Sequence, residues 1–295
     1  MTRAPHIHVV GAGLAGLSAA VALAARGMRV ILSEAAPQAG GRCRSYRDAR
    51  LGMVIDNGNH LVLSGNRAVG RYLRRIGAGH RLTAPPAAEF PFLDLRDGTR
   101  WTLRPNDGVL PWWVLSSTRR APGAALRNYA ALARLARRHP GKRIDEVLPC
   151  RGMLGERLSQ PVLVSMLNTM PERGSVELAG ALIRESLARG GDADHLLERD
   201  PDALLAAPWG EVAVALNLPP EPPPGRIVKE RRATCAATPG QDARGPPSRM
   251  AFANLAVAGD WTATGRPATI EGALRSGETA AALALSGLLA AQNPL

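Results

Sequence analysis

Residues 6–16 read HIHVVGAGLAG and residues 28–34 read MRVILSE, with the alanine-rich LSAAVALAARG of 17–27 between them. His6–Val10 and the branched run at 28–34 predict two buried strands. Residues 14–26 predict an apolar helix that Gly27 can terminate. Strand, glycine turn, helix and strand in one short span make a βαβ unit, a crossover that is right-handed with parallel strands. Gly11, Gly13 and Gly16 have GxGxxG spacing. The first permits the tight turn, the second lets backbone approach a pyrophosphate, and the third lets the helix pack on the strand. The helix N-terminus then presents free N–H groups and partial positive charge to that pyrophosphate. Glu34, at the end of the second strand, can accept hydrogen bonds from both hydroxyls of an adenosine ribose and would repel a 2′-phosphate. The glycine spacing alone is weak evidence; between two strands with the acid in place it predicts dinucleotide binding.

Composition limits the alternatives. A 295-residue chain that is 45% hydrophobic has material for a core, and it fits one large or two modest domains. No apolar run is long enough to span a bilayer, and the N-terminus does not read as a signal peptide, so a cytoplasmic location is expected. Cys43, Cys150 and Cys235 are far apart and odd in number, which fits neither a disulfide framework nor a metal or redox pair. Net charge is +12. Only Lys142 and Lys229 are lysines, leaving 35 arginines among 37 basic side chains. An arginine- and alanine-biased genome accounts for that surplus, and so does attraction to an anionic membrane surface. Aromatic residues are 4% and do not interleave with the arginines, so nucleic acid is not an expected partner.

Beyond the βαβ unit, residues 35–60 read as glycine-rich loop. AEFPFLDLRDGTRWTL (88–103) alternates like a β-hairpin turning at Asp97-Gly98. Residues 122–139 predict a helix with Leu126, Tyr129, Leu132 and Leu135 on one stripe and Arg127, Arg134, Arg137 and Arg138 largely off it. That stretch reads either as a helix docked on a core or as one lying on a membrane surface. Residues 153–170 and 175–189 predict two more helices. PPEPPPG (219–225) is a stiff connection, 240–248 a loop, NLAVAGD (254–260) a buried strand and 269–291 a helix.

The segment after the βαβ unit narrows the cofactor. Gly40-Gly41-Arg42 follows Glu34 by six residues; its glycines permit a close turn, and the arginine can reach phosphates. Here the chain resembles the FAD-dependent amine oxidase and phytoene desaturase superfamily, which carries this E-x(5)-GGR pattern. The stretch LAVAGDWTATGRPATIEGALRSGETAA (255–281) resembles the superfamily's second FAD motif. The resemblance implies that Gly259 and Asp260 hold the ribityl–pyrophosphate region. It also implies that a helix N-terminus at Thr269, Ile270 and Glu271 faces the flavin ring, where helix-end N–H groups stabilise negative charge on the reduced ring. DNGNH (56–60), LNTMPE (167–172) and KERRATCAATPGQDAR (229–244) are similar to the squalene-associated desaturase branch, the hydroxysqualene dehydroxylases of hopanoid biosynthesis, whose loop more often reads DNGQH. Gly58, Asn59 and His60 thereby enter the expected FAD site. His60 reads as a proton donor or polar anchor near the ring, or as a satisfied structural histidine.

The resemblance implies an α/β fold: a Rossmann-like parallel FAD sheet built from both chain termini (1–60 and 225–295), with a mixed substrate cap (61–197) inserted. It implies FAD as cofactor and a lipophilic isoprenoid as substrate, with reductive loss of a hydroxyl giving squalene. Two other readings stay open: a phytoene desaturase- or amine oxidase-like flavoenzyme, and a shortened, inactive FAD-binding chain. The last arises because the chain passes from GGDADHLL (190–197) straight to ERDPDALLAAPWGEVAVALNLPP, where the superfamily carries a long further segment. Residues 198–224 are therefore read as a truncated segment and linker, with an internal deletion near residue 197 that weakens FAD binding and leaves the substrate tunnel incomplete.

Overall fold

The computed structural model describes residues 6–58, 62, 65–82, 89–105, 111–185, 201–223 and 233–292. The βαβ unit forms as expected: β1 (His6–Val10), α1 (Leu14–Ala24) and β2 (Arg29–Ser33), with the strands parallel and His6 opposite Arg29 through Val10 opposite Ser33. Gly27, at φ +74°, turns the chain out of the helix into β2.

The loop expected over 35–60 instead contains an antiparallel hairpin, β3 (Ser45–Asp48) and β4 (Met53–Asp56). Asp48 makes the turn by accepting from the N–H groups of Arg50 and Leu51, and Gly52 adopts φ +68°. SYRD and MVID do not alternate apolar with polar residues, and no Asp-Gly or Asn-Gly pair marks the turn between them, so the sequence shows no hairpin there. α2 (Arg67–Arg75) follows. The hairpin β5 (Phe90–Leu93) and β6 (Arg100–Leu103) forms where expected, with Gly98 at φ +72° in its turn.

The segment 122–139 departs from the expected helix. It has one α turn, α3 (Leu126–Tyr129), and continues as a 3₁₀ helix over Ala130–Ala136. The stripe Leu126, Tyr129, Leu132, Leu135 repeats every third residue, which suits a 3₁₀ helix at three residues per turn. α4 (Gly152–Leu154), a π turn and α5 (Gln160–Leu167) occupy the next expected helix, and α6 (Val176–Glu185) the one after. α7 (Pro201–Leu216) is helical within the stretch read as truncated segment. One turn, α8 (Pro239–Asp242), precedes the long α9 (Ile270–Gln292).

The expected strand over 254–260 is a correction: only an isolated bridge between Arg249 and Ala256 forms there. The chain's C-terminal contribution to the βαβ unit is therefore α9, not a strand. α9 lies against α1 through small residues. A Cβ on Gly277 would sit 2.2 Å from the Ala15 carbonyl oxygen, and the Ser18 hydroxyl donates to the Leu274 carbonyl at 2.8 Å. Ala19, Ala22, Leu23 and Ala281 fill that contact. α9 is also tied to α2, where Arg71 and Arg75 converge on Glu278.

This arrangement covers one face of the β1–β2 pair. Ile7 and Val9 pack toward the helices, whereas Val10 is 89% exposed and Ile31 and Leu32 are also exposed. Parallel sheets normally bury both faces, and among the described residues no third strand joins this pair.

Residues from the middle of the chain form two larger cores. One gathers Leu135, Ile144, Leu148, Leu163, Met166 and Leu182; the other gathers Leu103, Trp113, Tyr129, Leu154 and Leu158 under the β5–β6 hairpin. The hairpin is locked by buried Arg157, whose Nε donates to Asp94 at 3.0 Å and whose Nη2 pairs with Asp97. Arg96, and behind it Arg157, holds the Asp94 carboxyl well below the usual carboxylate range. A folded pKa that is depressed stabilises the fold above the unfolded carboxylate value of about 3.9. That stabilisation is lost as pH falls through this value toward the folded one. The thermal midpoint followed against pH should therefore fall less steeply below about pH 4 in Asp94→Asn than in the parent.

Candidate functional site

The site is built outward from the first glycine turn. Gly11, at φ +98°, donates from its N–H to the Ser33 carbonyl at 2.7 Å, which turns the chain sharply at the end of β1. Gly16 is required by packing, since its Cβ would fall 1.9 Å from the Gly11 carbonyl oxygen. Gly13 differs: a Cβ there would meet nothing within 4 Å, so the space in front of it is open. The Gly40-Gly41 turn docks on this first turn. Gly40 N–H donates to the Ala12 carbonyl at 2.8 Å, and a Cβ on Gly41 would stand 3.2 Å from the Gly13 Cα. Gly41 also holds φ +59°. The DNG segment is fastened in turn by Asn57, whose side chain donates to the Arg42 carbonyl at 3.0 Å.

The C-terminal motif closes over the same place. Arg42 Nη2 meets Asp260 Oδ2 at 2.5 Å, an ion pair joining residues 218 positions apart. Gly259 is anchored to α9 by the Ser276 hydroxyl at 2.9 Å, and a Cβ on it would strike the Trp261 indole. Thr269 caps α9: its hydroxyl accepts from Gly272 N–H at 3.1 Å. A cleft of about 1120 Å³ runs between the two chain ends. Gly11, Gly13, Gly16, Gly41, Arg42 and Gly58 line one part of it, and Gly259, Asp260, Thr269, Ile270 and Glu271 another.

Glu34 stands apart from that group. It is not among the cleft-lining residues; its carboxylate accepts from Ala12 N–H at 2.5 Å and from Ala36 N–H at 2.9 Å. These amides, that of Ala36 foremost, hold its carboxyl below the ordinary value, so it stands ionised beside the glycine turn. Asn59 and His60 lie outside the described residues. Glu271 lines the cleft, but its buried carboxylate is committed elsewhere. It accepts from the Ala68 and Val69 N–H groups at the start of α2, at 3.0 and 3.1 Å, and pairs with Arg275 at 2.6 Å. At this position only the backbone of α9 is left to face a ligand.

The middle of the chain supplies lining residues that the sequence did not point to, among them Asn66, Met166, Asn168 and Leu182. Asn168 adopts a left-handed φ of +49°, and its carboxamide has no hydrogen-bond partner among the described residues. The signal was present in LNTMPE, where an asparagine follows an apolar helix end. Asparagine tolerates the left-handed region better than most residues.

These residues fit an FAD dinucleotide. The cleft exceeds the roughly 300–1,000 Å³ of ordinary small-molecule sites. The open space before Gly13 at the α1 N-terminus suits a pyrophosphate. Arg42 and Asp260 bring the polar groups that a phosphate and a ribityl chain require. The cysteines add no redox pair: Cys43, Cys150 and Cys235 are all free, and burial pushes the Cys150 thiol up to about 11.

Comparison with known proteins is consistent with this geometry. The family model for flavin containing amine oxidoreductase matches residues 14–160 and 171–285. Hydroxysqualene dehydroxylase of Rhodopseudomonas palustris is 32% identical over 410 aligned positions that take in 95% of this chain and 98% of the relative. Its counterpart in Sinorhizobium fredii is 33% identical with the same coverage. An alignment of 410 positions that uses 95% of a 295-residue chain leaves roughly 130 positions with no residue of this chain opposite them. Among solved structures, cyclohexylamine oxidase from Brevibacterium oxydans is similar at 17% identity and TM-score 0.39, over 64% of this chain and 47% of that one.

Proposed function

We propose that this chain, which belongs to the flavin containing amine oxidoreductase family, removes the hydroxyl of hydroxysqualene to give squalene. It is an FAD-dependent oxidoreductase with an α/β architecture. The observation that carries the substrate assignment is the similarity to hydroxysqualene dehydroxylases along 95% of the chain. In the proposed reaction a C–O bond breaks, the oxygen leaves as water after taking up a proton, and a C–H bond forms in its place. FAD, when bound and reduced, supplies the hydride equivalent for that bond.

The chain's own residues hold and shield. The α1 N-terminus and Gly13 receive the pyrophosphate, with Arg42 neutralising its charge. Asp260 takes the ribityl side, ionised Glu34 the adenosine ribose, and the N-terminus of α9 at Thr269, Ile270 and Glu271 faces the ring. Gly41 and Gly58 shape the wall between them, and Asn59 is proposed as a further FAD-binding residue. Met166 and Leu182 offer apolar surface to an isoprenoid, and Asn168, a polar group beside them in the lining, hydrogen-bonds the departing hydroxyl. His60 is proposed for the same region as a polar anchor. An amine oxidase reading needs an aromatic pair beside the flavin, and Trp261 is the only Phe, Tyr or Trp among the described residues of the cleft.

The FAD-loaded chain, incubated without oxygen with hydroxysqualene and dithionite, should yield squalene by mass spectrometry. Amine oxidation with hydroxysqualene untouched would overturn the assignment. Asn168→Gly keeps the left-handed backbone at no steric cost. It is expected to lower turnover about tenfold, the kinetic equivalent of one hydrogen bond worth roughly 1.4 kcal/mol. Flavin content and unfolding temperature should stay unchanged.

A second reading is favoured by the one-sided β1–β2 pair and the roughly 130 unmatched positions. We place the missing segment near residue 197, outside the described residues, where it would supply further strands beside β1–β2. Without it the shortened chain binds FAD more weakly than its relatives. Flavin titration of this chain beside one with the relatives' segment restored tests that, and equal affinities would refute it.

A further inference from the structure

We propose that the face formed by Trp112–Leu115, α3 and the 3₁₀ helix after it docks the protein on an anionic lipid bilayer. Docking does not depend on the substrate reading. Between Gly108 and Ile144 the sequence has eight cationic side chains and no acidic one, against a net charge of +12 for the whole chain. The charge is thus concentrated in one segment.

The apolar groups needed for insertion share that segment. Trp112 is 55% and Leu115 68% exposed, and Leu126 and Met153 are exposed as well. They belong to one neighbourhood. Trp113 meets Tyr129 of α3 edge-on at 5.6 Å, and Met153 lies under Gly123. Arg119 stacks over the Trp112 ring at 5.2 Å, an amphipathic pair of the kind that suits the headgroup level.

Some of the cations are already engaged: Arg138 with Glu177, Arg143 with Asp145, and Arg134 with the Val147 carbonyl. Arg119, Arg127 and Arg137 have no acidic partner among the described residues. Arginines without an acidic partner, in the same segment as an exposed Trp and Leu, match a surface carrying both phosphate charge and hydrocarbon. Nucleic acid would supply the charge but would leave Leu115, Leu126 and Met153 without a partner, and Trp112 is the one exposed aromatic in this segment available for stacking. Behind the face, Leu132 and Leu135 pack in the same core as Met166 and Leu182, which line the cleft. The docked face is therefore one side-chain layer from the proposed substrate wall.

The test is co-sedimentation of the full chain with vesicles of equal parts phosphatidylglycerol and phosphatidylcholine, or of phosphatidylcholine alone. Binding is expected to the anionic vesicles only and to weaken as salt is raised. Arg119→Gln/Arg127→Gln/Arg137→Gln and, separately, Trp112→Ser/Leu115→Ser should each lower that binding about tenfold or more. Both variants should keep the parent's unfolding temperature and flavin content. Equal binding to both vesicle types, tighter retention on a single-stranded oligonucleotide than on anionic vesicles, or unchanged vesicle binding in either variant would overturn the proposal. So would self-association that Trp112→Ser/Leu115→Ser abolishes while vesicle binding persists.

Discussion

Gly13→Ala is expected to leave the unfolding temperature unchanged and to lower FAD affinity by about tenfold or more, whereas Gly16→Ala should lower both. The two glycines sit three residues apart in one turn but do different work. At Gly13 a methyl group would enter open space, and its φ of −71° is one that alanine adopts freely. The methyl costs the free protein nothing and occupies the position the pyrophosphate must approach. At Gly16 the added carbon would lie 1.9 Å from a backbone oxygen. No rotamer relieves that, so β1 and α1 must separate, at a cost on the order of 3 kcal/mol. For a protein of ordinary marginal stability that is a fall of several degrees in the unfolding midpoint. Flavin titration and thermal unfolding on both variants decide the matter. A Gly13→Ala protein with parental FAD affinity would show that the cleft before α1 is not the cofactor site.

Glu271→Ala should destabilise the fold by roughly 3 kcal/mol through the buried N–H groups it orphans, and Glu271→Gln by less. The carboxylate satisfies Ala68 and Val69 at the N-terminus of α2, complements that helix end electrostatically and neutralises Arg275. Ala68 and Val69 are buried, so water cannot replace it. Glutamine retains one acceptor oxygen and so keeps part of the cap. The family motif pointed to this position as part of the flavin site, and the structure separates the two parts of that statement. The residue lines the cleft, while its carboxylate builds the joint between α2 and α9. Loss of FAD binding in Glu271→Ala with an unchanged unfolding midpoint would reverse this reading.

The local elements that the sequence identified are those whose determinants lie close together in the chain. β1, α1 and β2 follow from glycine spacing and two branched runs, α9 from its alanine-rich length, and the β5–β6 hairpin from alternation around Asp97-Gly98. NLAVAGD misled because a strand needs a neighbour: its pattern is right, but among the described residues nothing pairs with it beyond the Arg249–Ala256 bridge. β3 and β4 escaped notice because neither SYRD nor MVID alternates and no turn dipeptide such as Asp97-Gly98 joins them. α7 did so because Pro208 and Gly210 argue against a helix that nevertheless runs through them.

The same division runs through the site. Legible in the chain alone are a GxGxxG turn near one end and, near the other, a stretch that resembles the family's second FAD motif, because turn geometry and helix ends are set by near neighbours. Only the tertiary structure decided that α9 packs on α1 through Gly277 and Ser18, which brings both motifs to one cleft. It also decided that Arg42 meets Asp260, that the Glu271 side chain turns to α2, and that Asn168 joins the cleft from the middle of the chain. Those outcomes depend on close packing and on satisfying buried polar groups between residues far apart in the chain, which no local pattern encodes.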